Sequence, residues 1–386
     1  MTAKPQPQPT LPPLPLPATI SQSYITTPST GLTIHYLSAG PPTSPTILLL
    51  HGYPDLAYSW RHTILPLANA GFHVLAPDQR GFGRTIGADT RPWRQVDVGS
   101  FTMTNLARDI LAFLNALGLK EVHGIVGHDF GAVVASTLAL VRPDVVNRLV
   151  LMSHPYKPIP ELDEYKNATG TAGQGPDINA ELAALEEPRT HYRVYNSSEK
   201  GAYDWDHPEQ GVEEFLRGYI HVKSATWARN QAAGTLGAYT GAEMAKMPGY
   251  YIMPQGSSMP EVVTSLMVGE DPDATKAWLS DEELQVYASE WTRTGFLAAL
   301  TWYRAKTEAA YADDMALWAG KVLSVPVAVV SGKQDWGNYQ EPGALESMEK
   351  LPHLKGITLI DGAGHWPQQE KPEEVVKGIL DFLSKC

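Results

Sequence analysis

The sequence predicts an α/β protein in which a mostly parallel sheet is interrupted by one long, mainly helical insertion. Buried β-type runs alternate with helical patterns from about residue 32 to residue 152. Such runs are few between about 155 and 320, a region that holds twelve of the seventeen tyrosines and six of the ten tryptophans. The alternation resumes at about residue 325. Alternating strands and helices of this kind are typical of a parallel sheet with right-handed crossovers.

Short apolar or alternating runs predict the strands of this sheet. Before the insertion they lie at 32–36, 46–50, 72–77, 121–128 and 148–152. Apolar residues at helical spacing predict helices at 103–119, with Gly118 as a C-cap signal, and from about 130 to 141, with Pro143 as a stop. After the insertion we expect strands at 325–331 and 357–360 and a last helix at 372–384. The insertion itself contains helical patterns such as 280–290.

These patterns divide the chain into a core, a cap and a tail. We expect residues 19–154 and 321–386 to form the core and residues 155–320 to form a cap domain inserted after the sixth strand. Residues 1–18 alternate Pro with Gln, Leu and Thr and lack the apolar run of a signal peptide. We expect them to form a flexible, polyproline-type tail.

Composition and charge restrict the possible partners. The net charge of −12 argues against a nucleic acid or an anionic membrane surface, and no apolar run approaches the ~18 residues that span a bilayer. The single cysteine, Cys386, permits no internal disulfide, and no Cys-x-x-Cys or His-Glu-x-x-His spacing suggests a metal site. Ser384-Lys385-Cys386 only partly matches the peroxisomal signal Ser-Lys-Leu, so we expect a cytosolic protein. Its partner is expected to be a small molecule, with no metal or cofactor.

The turn Gly127-His128-Asp129-Phe130-Gly131 directly follows a buried strand and begins a helix. A turn of this pattern pushes its central side chain, here Asp129, out above the N-terminus of the helix. A carboxylate that attacked an acyl carbon would form a reactive anhydride, whereas attack at a saturated carbon forms an alkyl ester. Asp129 therefore indicates displacement on an epoxide or an alkyl halide. The alternative is an ordinary turn in which Asp adopts a permissive backbone conformation.

Two further side chains follow Asp129 in the order nucleophile, acid, histidine. Asp335 comes just after a buried strand, and His365 lies in the loop after the final strand. The carboxyl ends of parallel strands gather such groups at one edge of a sheet. The loop after strand 46–50 is positioned to supply an oxyanion hole, for which we expect the backbone N–H groups of Tyr53 and Phe130. The glycine-rich stretch 78–83 lacks nucleotide-binding spacing and is expected to be a structural turn.

At this point the chain resembles a family, the soluble type of epoxide hydrolases with the α/β-hydrolase fold. Four stretches carry the likeness, at 51–61, 127–131, 294–304 and 364–366. The first, second and fourth are shared with haloalkane dehalogenases. The third, which ends in Trp302-Tyr303-Arg304, is therefore the discriminating one.

The resemblance implies specific roles for residues of the cap. Tyr303 would donate a hydrogen bond to the epoxide oxygen, assisted by a second phenol from Tyr192 or, as an alternative, Tyr195. Either tyrosine could instead be an ordinary core residue. The resemblance also places four neighbouring residues at the substrate site: His51, Pro54, Trp302 and Trp366. The aromatic cap suggests a bulky, apolar epoxide.

Three other functions remain open at this stage. Haloalkane dehalogenases usually have Trp directly after the nucleophile, whereas this chain has Phe130, which has no N–H to bind halide. A non-catalytic ligand receptor could retain the same triad. Ester or carbon–carbon cleavage is a third possibility, although an Asp nucleophile is unfavourable for acyl chemistry.

Overall fold

The computed structural model describes residues 11–163 and 177–385. Their strands are β1 (Ser21–Thr27), β2 (Leu32–Ala39), β3 (Thr46–Leu50), β4 (His73–Pro77), β5 (Gly124–His128), β6 (Leu149–Met152), β7 (Arg189–His191), β8 (Ile252–Pro254), β9 (Val327–Gly332) and β10 (Leu354–Ile360). In these ranges one eight-stranded sheet has the order β1-β2-β4-β3-β5-β6-β9-β10, while β7 and β8 form a separate pair. From β4 to β10 in this order, neighbouring strands are parallel. Strand β2 is antiparallel to both of the strands it pairs with, β1 and β4. The predicted fold class is confirmed.

Helices surround the sheet and fill the insertion. They are α1 (Ile64–Asn69), α2 (Met103–Ala116), α3 (Phe130–Val141), α4 (Ile178–Ala183), α5 (Tyr192–Asn196), α6 (Glu199–Asp206), α7 (Val212–Lys223), α8 (Gly241–Met244), α9 (Met259–Leu266), α10 (Asp281–Thr294), α11 (Leu297–Thr307), α12 (Ala309–Ala312), α13 (Ala344–Met348), α14 (Pro367–Glu370) and α15 (Pro372–Leu383). Short 3₁₀ turns lie at Ala57–Trp60, Val98–Phe101, Ala228–Ala232, Pro272–Ala277, Asp313–Trp318 and Trp336–Asn338. No helix in the described ranges is long and apolar enough to cross a membrane.

The burial of the central strands explains why both faces of the sheet need helices. Every residue of β3, β4, β5 and β9 is buried, as expected for parallel strands covered on both sides. Helix α3 packs against α2 and against β5 and β6, while α15 packs against α1, β9 and β10. Helix α15, which was expected at 372–384, buries one apolar face, with Val375 and Ile379 fully covered.

The Pro-rich segment corrects one expectation. Within the described residues 11–18, the Leu14 side chain is buried, with 7% exposed, and its backbone exchanges two hydrogen bonds with the Gln22 amide. The Arg84 guanidinium donates to Pro12 O at 2.8 Å. The expectation of a flexible tail is therefore wrong for residues 11–18, because the contacts of Leu14 and Arg84 attach this Pro- and Leu-rich segment to the core. Residues 1–10 lie outside the described part, as do residues 164–176 of the expected cap and Cys386 of the weak targeting signal.

The helices of the insertion are anchored on the loops at the edge of the sheet. Helix α10 forms two ion pairs with the core, from Glu283 to Arg61 at 2.6 Å and from Glu290 to Arg84 at 2.7 Å. The two arginine side chains are at least nine-tenths buried, so these pairs are shielded from solvent. They fix the cap above the carboxyl ends of the parallel strands.

Candidate active site

The turn between β5 and α3 holds Asp129 in a strained conformation. Its φ of 50° and ψ of −119° are unusual for a residue with a side chain. A Cβ at Gly127 would lie 2.3 Å from Gly131 O, and a Cβ at Gly131 would lie 2.3 Å from Leu50 O. Only glycine fits at these two positions, and their close packing holds the Asp129 carboxylate above the helix N-terminus.

One oxygen of Asp129 lies in the expected oxyanion hole. Asp129 Oδ1 accepts a hydrogen bond from the Tyr53 amide at 2.9 Å. Phe130 is the first residue of α3, and the N–H groups in the first turn of a helix have no acceptor within the helix. Burial opposes ionisation of Asp129, but the charges of His365 and Lys223 and the Tyr53 amide hold its pKa below the ordinary value. Asp129 is therefore an anion at neutral pH.

The other oxygen of Asp129 faces His365. Asp129 Oδ2 lies 3.8 Å from His365 Nε2, and Asp335 Oδ1 lies 3.1 Å from His365 Nδ1. Because a carboxylate can only accept, Nδ1 carries the proton and Nε2 presents its lone pair towards Asp129. Asp335 is fixed in turn by the Gly337 amide at 2.7 Å. The three residues predicted as a triad thus meet at one edge of the sheet.

Electrostatics keep the His365 ring neutral. Burial and the charge of Lys223 lower its pKa, while the Asp335 carboxylate raises it by a smaller amount. A neutral imidazole can accept a proton, so His365 is in the form that a general base requires. The site thus combines an ionised carboxylate with an unprotonated base.

A narrow cavity adjoins Asp129 on the side of the cap. It encloses about 300 Å³ of space, including its mouth. Its lining residues are Asp129, Phe130, His154, Tyr192, Arg193, Tyr303, Lys306 and Thr307. The Tyr192 and Tyr303 rings lie 5.8 Å apart, and the Tyr303 ring packs edge-on against Phe130 at 4.7 Å. Burial raises the pKa of Tyr192 to about 12 and that of Tyr303 well above its ordinary value, so both phenols are protonated donors.

The alternative phenol, Tyr195, lies away from this cavity. Its hydroxyl donates to Asp204 Oδ2 at 3.0 Å and accepts from the Met259 amide, also at 3.0 Å. These two bonds connect α5 to α6 and α9. Tyr192, in contrast, lines the cavity, and its hydroxyl donates to Gln340 Oε1 at 3.4 Å.

The two tryptophans expected to bind substrate are packing residues instead. The Trp302 indole donates to Arg80 O at 3.0 Å, and the Trp366 indole donates to Ile220 O at 3.0 Å. Both side chains are at least 99% buried, and neither is among the lining residues of the cavity in the described ranges. They pack beneath the residues of the site and not against the cavity, which differs from the expectation of substrate contact.

The same correction applies to His51 and Pro54. His51 is fully buried, and its Nε2 accepts from the Gln79 amide at 3.1 Å, which ties the loop after β3 to the loop after β4. Pro54 O accepts from the Trp291 indole at 2.9 Å. Both residues shape the loop that carries the Tyr53 amide rather than the cavity wall.

Sequence reasoning missed several residues at the site. His154 lines the cavity directly after β6, where the carboxyl end of a strand was a usable signal. Arg193 adjoins Tyr192, and Lys306 lies one helical turn beyond Tyr303, so both could have been found from the phenols. Lys223 had no such signal, because only the packing of α7 brings it near the triad. No cluster that could hold a metal ion occurs among the described side chains.

Comparisons with known proteins agree with this geometry. The family model for the alpha/beta hydrolase fold matches residues 45–243. The chain is 31% identical to epoxide hydrolase A of Mycobacterium tuberculosis over 92% of its own length and 95% of that protein. It is 28% identical to epoxide hydrolase 3 of Siraitia grosvenorii, over 94% and 98% of the two chains.

Solved structures lead to the same group. Epoxide hydrolase I of potato, Solanum tuberosum, aligns with a TM-score of 0.72 at 29% identity, covering 95% of this chain and all of that one. An epoxide hydrolase from an endophytic Streptomyces aligns with the same TM-score at 26% identity, covering 95% and 96%. The chain therefore belongs to the epoxide hydrolases of the α/β-hydrolase fold.

Proposed function

We propose that this protein converts an epoxide and water into a vicinal diol through an alkyl ester on Asp129. The observation that carries the proposal is that one cavity is lined by a carboxylate nucleophile and by two protonated phenols, Tyr192 and Tyr303. A nucleophile and two donors on one small space suit the opening of a strained ether ring. The curated relatives of similar length carry the same activity in their names.

In the first step, Asp129 Oδ2 attacks a carbon of the epoxide ring. Asp129 Oδ1 is held by the Tyr53 amide, which leaves Oδ2 as the oxygen free to react. The C–O bond of the ring breaks, and the electron pair passes to the epoxide oxygen. Tyr303 and Tyr192 donate to this developing alkoxide, and one phenol supplies its proton. The product is a β-hydroxyalkyl ester whose carbonyl oxygen is Oδ1.

In the second step, His365 removes a proton from water, and the water oxygen bonds to Cγ of Asp129. The negative charge that develops on Oδ1 is stabilised by the Tyr53 amide and by the first-turn amide of Phe130. The Cγ–Oδ2 bond then breaks, and Oδ2 leaves with the diol after taking the second proton of the water from the new carboxyl group, which returns Asp129 to a carboxylate. The proton taken by His365 replaces the one donated by the phenol, so the cycle ends with the starting protonation states.

The second assignment, a haloalkane dehalogenase, has less support from the site. Haloalkane dehalogenases usually bind halide through the indole of a Trp directly after the nucleophile, whereas Phe130 at this position offers only its backbone amide. The indoles packed around the site, Trp291, Trp302 and Trp366, donate to backbone carbonyls instead. The phenols that an epoxide requires have no role in halide departure.

The proposed substrate is an apolar epoxide. The rings of Phe130, Tyr192 and Tyr303 line the cavity beside Asp129, which favours an apolar molecule. We retain the cytosol as the proposed location.

A single-turnover reaction in ¹⁸O-water tests the proposal. Excess enzyme reacts with styrene oxide, and mass spectrometry follows the diol and the peptide that contains Asp129. We expect label in the Asp129 carboxylate and mainly unlabelled diol. Asp129→Asn should form no diol, whereas Asp144→Asn, which changes an exposed carboxylate, should behave as the wild type.

Three other results would replace the proposal. Labelled diol without labelled Asp129 would indicate direct attack of water on the epoxide. Halide release from haloalkanes without turnover of any epoxide would assign a dehalogenase. Binding of these molecules without any turnover would assign a ligand receptor.

A further inference from the structure

We infer that Lys223 is a buried cation that favours the ionised form of Asp129 and the neutral form of His365. These are the two forms that the proposed reaction requires, and the inference therefore rests on the proposed function. Lys223 is the last residue of α7 and only 4% exposed. A lysine is almost never buried to this extent without a reason.

Aromatic faces explain how an ammonium group is accommodated at this position. The Lys223 Nζ lies 5.0 Å from the ring centre of Tyr251 and 5.2 Å from that of Tyr219, whose hydroxyl is 3.5 Å away. The rings of Trp366 and Tyr250 follow at 5.5 and 6.0 Å. Four ring faces within about 6 Å attract a cation and offset part of its loss of hydration.

The backbone of Lys223 is attached directly to the catalytic loop. Lys223 O accepts a hydrogen bond from the His365 amide at 2.9 Å. A Cβ at Gly364 would lie 2.6 Å from Lys223 O, so the loop lies flat against the end of α7. The Trp366 ring contacts both the His365 ring, at 4.5 Å between centres, and the Lys223 ammonium. The distance between Lys223 and His365 is therefore fixed by the fold.

The charge of Lys223 is not neutralised by a contact partner. Among residues 11–163 and 177–385, no carboxylate forms an ion pair with it within 4.0 Å. It acts instead on a group of ionisable residues that surround it at longer range. These are the carboxylates of Asp55, Asp129 and Asp335, the imidazole of His365 and the phenols of Tyr219, Tyr250 and Tyr251. Two further titratable groups face the His365 loop: His128, whose ring centre lies 5.1 Å from that of His365, and Glu370, which accepts from the Gly364 and Trp366 amides.

The charges around His365 explain the effect of this cation. His365 lies between two carboxylates, Asp129 and Asp335, which together favour the imidazolium form, and an imidazolium cannot accept a proton. A cation at the same site opposes them. Once Asp129 is an uncharged ester, Lys223 and Asp335 carry opposite charges around His365, and the ring is still neutral when water must be activated.

The expected shifts follow from these positions. Of the influences that lower the pKa of His365, only burial is larger than the charge of Lys223. Of those that lower the pKa of Asp129, only His365 is larger than Lys223. Burial lowers the pKa of Lys223 itself, and the three carboxylates oppose that change. Loss of the cation should therefore raise the pKa of both His365 and Asp129.

The test compares Lys223→Met, which keeps the length of the side chain, with Lys223→Arg, which keeps the charge. Nuclear magnetic resonance of ¹³C-labelled histidine follows the titration of His365 in the free protein, and His365→Gln identifies its signal. We expect the midpoint to rise by roughly one pH unit in Lys223→Met and to stay near the wild-type value in Lys223→Arg. Lys246→Met, at an exposed position on the cap, is the matched control.

Single-turnover kinetics provide the second measurement. In Lys223→Met, hydrolysis of the ester should slow by roughly tenfold at pH values below both His365 midpoints and recover as the pH rises through the new midpoint. A loss of rate without any change in the pH profile would overturn the inference, because a merely structural role predicts that result. An unchanged His365 midpoint in a folded Lys223→Met variant would overturn it as well.

A measurement on the wild type covers the case in which Lys223→Met does not fold. Resonance of the Lys223 ammonium in ¹⁵N-labelled protein reports its charge directly, and a neutral amine at pH 7 would overturn the inference. Absence of diol formation by the wild type would instead refute the proposed function. The two titrations need no turnover, so the failures of the two proposals are distinguishable.

Discussion

Replacement of His365 by glutamine should separate the two steps of the proposed reaction. Glutamine retains a polar side chain beside Asp335 but cannot accept a proton from water. His365 Nε2 lies 3.8 Å from Asp129 Oδ2, which is too long for a direct hydrogen bond, so the nucleophile loses no bond in this variant. We expect the first step to proceed and the second to stop.

The structure sets the expected size of each effect. General-base catalysis contributes about 10²–10⁴ to a rate, so hydrolysis of the ester should slow by this factor, or by about 3–5 kcal/mol in activation free energy. At neutral pH the His365 ring is uncharged and forms no hydrogen bond with Asp129, so we expect the first step to slow by no more than about tenfold. The ester should therefore accumulate to one equivalent per protein.

Rapid quenching followed by intact-protein mass spectrometry measures this accumulation. The wild type should show a small steady level of adduct, and His365→Gln should show a stoichiometric one. His353→Gln, which changes an exposed histidine, should match the wild type. Equal loss of both steps, or normal turnover without adduct, would refute the assignment of His365 to the second step alone.

Three further predictions follow from other contacts. Tyr303→Phe should slow ester formation by about 10- to 100-fold in single-turnover kinetics, because a hydrogen bond to a developing charge contributes about 1.5–3 kcal/mol; Tyr195→Phe should not, because its hydroxyl is bonded within the cap. Gly131→Ala should lower the free energy of unfolding by at least about 2 kcal/mol in denaturant titrations, because the added Cβ would lie 2.3 Å from a backbone oxygen, whereas Gly234→Ala has room and should change it by less than about 0.5 kcal/mol. Burial opposes the ionised form of Asp78, but its hydrogen bond with His35 lowers its pKa from 3.8 to about 2. The ionised side chain should therefore contribute about 2 kcal/mol to the free energy of unfolding above pH 4, and this contribution should be lost as the pH falls towards 2. Asp78→Asn should flatten this part of the plot of unfolding free energy against pH.

Local patterns were sufficient to predict most of the core. The strand at 46–50 and the start and end of α3 coincide with the structure, because continuous apolar runs and a glycine-flanked turn are local signals. Strand β1 (Ser21–Thr27) was missed, since its half-exposed pattern is mixed and its main support is the long-range pairing with β2. The tail at residues 11–18 was misjudged for a similar reason, because the burial of Leu14 depends on a surface elsewhere in the chain.

The candidate site divides in the same way. Asp129, Asp335 and His365 were predicted because strand ends of a parallel sheet converge regardless of the rest of the fold. Trp302 was misplaced because it adjoins Tyr303 in sequence, and successive residues of a helix point about 100° apart. Tyr303 faces the cavity, so its neighbour faces the core. Lys223 could not be predicted, since its role depends on the packing of α7 against the His365 loop.

The attachment of the cap also has a consequence for the chemistry. The phenol of Tyr303 lies on the cap, whereas Asp129, which attacks the epoxide, lies on the core. Stabilisation of the alkoxide by a preorganised donor is sensitive to small changes in distance. Two indole N–H bonds to core carbonyls join the halves, from Trp291 to Pro54 O and from Trp302 to Arg80 O. Pro54 follows the residue whose amide holds Asp129 Oδ1, and Trp302 precedes Tyr303. Each anchor is thus one residue away from a reacting donor, so the bonds that hold the cap in place also set the distance across which the epoxide is opened.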